Sequence, residues 1–124
     1  MTRIESTFET LKAQNKKALI PYVMAGDPTP DNFVGLLHDL VKHGADMIEV
    51  GLPFSDPMAD GPTVALAGER ALAAGTSTRD ALKMVAEFRK QDTQTPIILM
   101  GYLNPVEIIG YYNFVALCQQ SGVD

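Results

Sequence analysis

Short apolar runs alternate along this chain with longer stretches of helical period, and that alternation restricts it to a parallel α/β sheet with right-handed crossovers. The runs Ala18–Ala25, Met47–Gly51 and Pro96–Met100 read as strands, with Pro21 an irregularity in the first because proline gives no N–H to a ladder. Ahead of them, Ile4, Phe8 and Leu11 recur at helical spacing. Thr29 and Pro30 form an N-cap and first-turn pair for a helix whose apolar stripe is Phe33, Leu36, Leu37, Leu40 and Val41. Helices are also expected from about Thr63 to Ala74, stopped by Gly75, from about Thr78 with Ala81, Leu82, Val85 and Phe88 inward, and over Tyr111–Ser121. Gly101–Pro105 reads as the loop leaving the third strand. Gly44-Ala45-Asp46 ends one helix and opens the second strand, and Gly122-Val123-Asp124 repeats that Gly-x-Asp pattern where a fourth strand is due.

The net charge of −5 and the absence of a Lys/Arg cluster argue against a nucleic-acid or anionic-membrane surface. No apolar run approaches the ~18 residues of a membrane span. Cys118, the single cysteine, lies among Phe114, Val115 and Leu117 and reads as a buried small hydrophobe in a reducing compartment, which places the protein in the cytoplasm. His38 and His43 read as surface residues, with no partners at metal-ligand spacing; the metal expectation is none. Lys16, Lys17, Lys42, Lys83 and Lys90 sit in polar contexts that do not suit a Schiff-base lysine. Carboxylate acid-base chemistry is what remains.

The strand Met47–Gly51 carries one charged residue, Glu49, on the face shared by Met47 and Gly51. A carboxylate in a buried parallel strand is disfavoured as an ion, so its pKa is expected to rise towards neutrality. The alternative is an acid paired with a lysine or arginine across the sheet, serving stability alone. Beyond the strand, Pro53, Pro57 and Pro62 stiffen a loop holding Asp56, Asp60 and Gly61. Asp56 before Pro57 fits a turn, and Asp60 is a turn residue or a positioned acid.

The fourteen residues Ile48-Glu49-Val50-Gly51-Leu52-Pro53-Phe54-Ser55-Asp56-Pro57-Met58-Ala59-Asp60-Gly61 resemble, residue for residue, the signature of the tryptophan synthase alpha subunit family. The resemblance implies a (β/α)8 TIM barrel. Such a barrel runs to roughly 250 residues, so residues 1–124 are expected to be the N-terminal part of one domain. That part would comprise a floor helix and the first three β/α units, truncated before strand four. Isolated, those strands would leave an uncovered edge and apolar faces, with poor stability or dimerisation expected.

By the same resemblance the reaction is retro-aldol cleavage of indole-3-glycerol phosphate to indole and glyceraldehyde 3-phosphate, in tryptophan biosynthesis. Glu49 would shuttle the proton between hydroxyl and ring carbon, and Asp60 would stabilise charge at the ring nitrogen. Tyr22, Met100 and Tyr102 would line the indole pocket; Tyr22 and Met24 stand where the family more often carries phenylalanine and threonine. The phosphate would bind loops after strands seven and eight, so this segment alone is expected to be inactive. The loops holding Pro53, Asp56 and Pro57, and Asn104 and Pro105, would face a beta subunit in an alpha2-beta2 heterotetramer. Pyridoxal phosphate would sit on that subunit, with no cofactor in this chain. Alternative readings are another phosphosugar-barrel lyase or isomerase, with Glu49 as its base, or a non-catalytic segment that only binds the beta subunit.

Overall fold

The structure, a computed structural model, describes residues 1–124. Helix α1 (Arg3–Ala13) precedes strand β1 (Tyr22–Met24), helix α2 (Pro30–Lys42), strand β2 (Ile48–Gly51), helices α3 (Pro62–Ala73) and α4 (Thr78–Arg89), strand β3 (Ile97–Met100), and helices α5 (Leu103–Ile109) and α6 (Tyr111–Ser121). The sheet is parallel throughout, in the order β1-β2-β3.

Local chemistry explains where the helices start. Thr2 caps α1 and exchanges bonds with Glu5, and Ser77 does the same with Asp80 at α4, so both helices open on a capping box. Thr29 accepts the Asn32 N–H while Pro30 fills the first helical position of α2, as expected. All four apolar residues assigned to the inner side of α4 are buried.

The outer face of the sheet presents Val23, Ile48, Val50, Ile97 and Leu99 to the helices. There they join Phe33 and Leu37 of α2 and Ala81, Val85 and Phe88 of α4 in one apolar core, with Phe114 of α6 against its margin. Burying a side chain of this size contributes about 1.5–3 kcal/mol relative to leaving it in water, so this layer holds the sheet to its helices. The inner face presents Tyr22, Met24, Glu49, Gly51, Ile98 and Met100; helix α3 covers it only at the β1 edge, where Met24 lies buried against Gly68.

The repeated Gly-x-Asp pattern has a repeated structural meaning. At Asp46 the backbone N–H donates to the Leu19 carbonyl (2.9 Å) while the carboxylate accepts the Leu19 N–H (2.8 Å). At Asp124 the N–H donates to the Ile97 carbonyl (2.9 Å) and the carboxylate accepts the Ile97 N–H (3.0 Å). Each aspartate thus grips one residue from both sides, Asp46 holding Leu19 just ahead of β1 and Asp124 holding Ile97 at the start of β3. Asp124 is also ion-paired with Arg3 and Arg89, both at 2.9 Å.

Four expectations are corrected. The first strand is short, beginning after Pro21, whose carbonyl still accepts the Glu49 N–H (3.0 Å) but which has no N–H to extend the ladder backwards. Asn104 and Pro105 lie in the first turn of α5, not in a loop; proline is tolerated there because that N–H has no helical acceptor. His38 is not a surface residue. It shares a helical row with Val34 and Val41, stacks on Phe88 with ring centroids 4.7 Å apart, and buries a partnerless Nε2. Cys118 is only half-buried, because α6 touches the core at its margin; burial still pushes its thiol pKa up. The five lysines singled out above are all exposed, as expected.

Candidate active site

The inner face gathers its polar groups at the carboxyl ends of the strands. Tyr22, the first residue of β1, stands beside Glu49 of β2 in the sheet register, and its side chain runs along the face to lie over Gly51. A Cβ built at Gly51 would fall 2.0 Å from the Tyr22 hydroxyl oxygen, so only glycine leaves that shelf free. Leu52 continues the ladder one step past β2, donating its N–H to the Met100 carbonyl at 2.8 Å.

From there the chain turns through residues 53–61. The Asp56 carbonyl accepts the Met58 N–H (2.8 Å), its carboxylate accepts the Ser55 hydroxyl (2.6 Å), and the Pro57 carbonyl accepts the Asp60 N–H (3.1 Å). Asp56 is therefore a turn residue, as one reading of the sequence had it. Ala59 donates its N–H to the Tyr102 hydroxyl at 2.8 Å, and Phe54 packs on the same ring with centroids 5.5 Å apart. These contacts tie the turn to the exit of β3 and bring Asp60 over the inner face. Gly61 then caps α3 and Pro62 opens it. On the other side of α3, Arg70 binds Asp27 with two parallel bonds (2.7 and 3.0 Å), fixing the loop after β1 to the same helix.

A cavity of about 190 Å³ results, lined by Tyr22, Leu52, Ala59, Asp60, Met100, Gly101 and Tyr102. Four residues singled out in the sequence, Tyr22, Asp60, Met100 and Tyr102, therefore meet in one place. Glu49 does not line the cavity itself; it flanks Tyr22 deeper on the same face. It is half-buried where a walled-in carboxylate was expected, because the inner face lies open, and the chain's five ion pairs involve neither Glu49 nor Asp60. The cross-sheet pair that would have made Glu49 purely structural is not formed.

Tyr22 reports on both acids. Its pKa is pushed up to about 12, first by burial, then by the negative charges of Asp60 and Glu49. Both carboxylates therefore act on one phenol. An apolar and aromatic slot with a carboxylate at its edge suits a flat ring bearing a hydrogen-bond donor.

The residues assigned to a partner-facing surface separate. Asp56 and Asn104 are exposed and Pro57 and Pro105 half-buried, whereas Pro53 is buried and anchors the loop. Its expected exposure is corrected: Pro53 follows Leu52, which is still paired to β3, so the chain has not yet left the core. Leu52, Ala59 and Gly101 were not foreseen as cavity residues. The two-residue period running from Glu49 to Gly51 could have shown that Gly51 faces the site, but nothing local marks the others.

Comparison with known proteins agrees with this geometry. Residues 8–124 match the family described as Tryptophan synthase alpha chain. The chain is 95% identical over all 124 residues to the tryptophan synthase alpha chain of Psychrobacter arcticus and 64% identical to that of Acinetobacter baumannii, covering 45% and 46% of those proteins. It superposes along its whole length on the crystal structure of tryptophan synthase subunit alpha from Legionella pneumophila with a TM-score of 0.98 at 56% identity, covering 47% of that chain. Against the aminoacrylate-bound tryptophan synthase of M. tuberculosis the TM-score is 0.91 at 36% identity, over 99% of this chain and 49% of that one. The chain thus spans a little under half the length of the relatives it matches, and its three parallel strands and their helices have the fold of about half of their TIM barrels. By its sequence over residues 8–124 and by its fold, the chain belongs to the tryptophan synthase alpha chain family.

Proposed function

We propose that this chain contributes the two acids and the ring pocket for retro-aldol cleavage of indole-3-glycerol phosphate, in a polypeptide of the family's full length. The observation that carries the reading is that Tyr22, the sheet-register neighbour of Glu49, lines one apolar slot of ring size together with Asp60 at the carboxyl ends of parallel strands. Family membership supports it, since barrels of this class place chemistry at that end.

In the proposed reaction the indole ring lies between Tyr22, Leu52, Met100 and Tyr102. Protonation at ring carbon 3 leaves positive charge on the ring nitrogen, and Asp60 stabilises that charge through the N–H. Glu49 takes the proton from the adjacent side-chain hydroxyl. The carbon–carbon bond then breaks, its electrons return to the ring, and the hydroxyl carbon leaves as the aldehyde of glyceraldehyde 3-phosphate. The proton Glu49 gained equals the one delivered to carbon 3, so the acid is regenerated. The pocket is lined by no cationic residue, so the phosphate is assigned to the part of the barrel beyond these three strands, and the 124-residue chain alone is expected to be inactive.

A partner surface follows from the exposed side of the same loops. Met58 (88% exposed), two residues from Asp56, and Leu103 (58%), adjacent to Asn104, place large apolar groups in water. Such a patch fits the beta subunit, which would carry pyridoxal phosphate and receive the indole.

The test is an indole-release assay on the full-length polypeptide. Glu49→Gln and Asp60→Asn should each lower cleavage about 10²- to 10⁴-fold with unfolding midpoints unchanged. Turnover near the unsubstituted level in either variant removes that residue from the mechanism. Addition of beta subunit to the same assay should speed release, and an unchanged rate would remove the partner.

A further inference from the structure

Tyr22 is the one phenol at the site whose oxygen the protein leaves unused. The Tyr102 oxygen accepts the Ala59 N–H and is thereby held to the turn, its own proton remaining free, and Tyr111, at a distance on α6, donates to Glu107 at 2.9 Å. The Tyr22 hydroxyl forms no bond within the chain, yet it is held in a defined place. Its oxygen occupies the shelf over Gly51, and Tyr22 lines the cavity with Asp60 while standing beside Glu49 in the sheet register.

We propose that the Tyr22 hydroxyl donates a hydrogen bond to the side-chain hydroxyl of the substrate, the same oxygen whose proton Glu49 removes, and so selects an indole bearing a hydroxylated side chain over the bare ring. The inference rests on the lyase reading above and adds to it a residue that determines specificity.

The stereochemistry of hydrogen bonding supports this division of labour. A substrate hydroxyl has one proton and two lone pairs, so it can give its proton towards Glu49 while accepting from Tyr22. Burial and the two carboxylates disfavour the phenolate, which keeps Tyr22 a donor throughout the neutral range. Bare indole offers only an N–H donor, which Asp60 takes, and has no oxygen for Tyr22 to bind. Removing a donor aimed at a substrate hydroxyl therefore affects one ligand and leaves the other untouched.

Tyr22→Phe in the full-length polypeptide tests the proposal, with cleavage kinetics for indole-3-glycerol phosphate measured beside the dissociation constant for indole. The expected result is a KM raised about three- to tenfold, the worth of one net hydrogen bond, with indole affinity unchanged. An unchanged KM overturns the proposal, including the case where only kcat falls. Equal loss of affinity for both ligands overturns it too, because that is the mark of a ring that merely packs. If the unsubstituted polypeptide does not cleave indole-3-glycerol phosphate, the lyase reading falls and this inference with it.

Discussion

At the scale of single residues, the site depends on one glycine as much as on its two acids. Gly51 has no side chain to defend its position, yet Tyr22 can extend along the inner face only because nothing stands on Gly51. The raised pKa of Tyr22 also links this contact to stability. A phenol whose folded-state pKa lies above its unfolded value of about 10 adds stability that is complete below pH 10 and is lost as pH rises through the folded value of about 12. Tyr22→Phe should therefore remove a phenol that titrates near 12 in the ultraviolet. It should also flatten the fall in denaturant-derived stability across that interval, and a fall as steep as that of the unsubstituted chain would contradict the assignment. Glu49 was legible as a site residue because it is the only charge in an apolar strand, and Asp60 because of its place in a fourteen-residue signature. His38 was misread. Its polarity suggested solvent, while its helical row with Val34 and Val41 placed it against Phe88.

Among the elements, the helices were easier to read than the strands. Caps and stops are written in neighbouring residues, so α2 and α6 fall within a residue of their expected bounds and α4 begins where expected. Helix α5 was missed because Pro105 looks like a breaker, although three residues into a helix it breaks nothing. Strand ends depend on the neighbouring strand, and β1 lost its first four expected residues to the irregularity at Pro21. The paired Gly-x-Asp motifs show what a short local signal can do across the sheet. Asp46 and Asp124 make the same two bonds in different surroundings: Leu19 is 56% exposed and can turn to water, whereas Ile97 is fully buried and Asp124 also neutralises Arg3 and Arg89. Asp46→Ala is expected to cost about 1 kcal/mol and Asp124→Ala about 3 kcal/mol in urea unfolding. Equal costs would mean that the bonds to Leu19 and Ile97, not their burial, set the energy.

For the whole molecule, one face of the sheet is fully covered and the other only at its β1 edge, by α3. Parallel sheets are stable when both faces are covered, and here Met100 (44% exposed), on the inner face, and Leu19 (56%) and Ile20 (37%), just ahead of β1, meet water. The 124-residue chain by itself should self-associate in sedimentation and bind hydrophobic dyes. A monomer with one sharp melting transition would show that the outer core suffices. No helix is long and apolar enough to cross a membrane. The sequence by itself determined the alternation of strands and helices, the parallel sheet and most of the helix termini, since these follow from spacing and from neighbours within a few residues, while Glu49 and Asp60 stood out as candidate acids through the fourteen-residue resemblance. Only the tertiary structure decided that Tyr22, Asp60, Met100 and Tyr102 enclose one cavity, that Pro53 is buried while Met58 is exposed, and that Glu49 lies unpaired on an open face. Those facts depend on which strands lie side by side and where a turn is tethered to a ring more than forty residues away, and no local pattern encodes such distances.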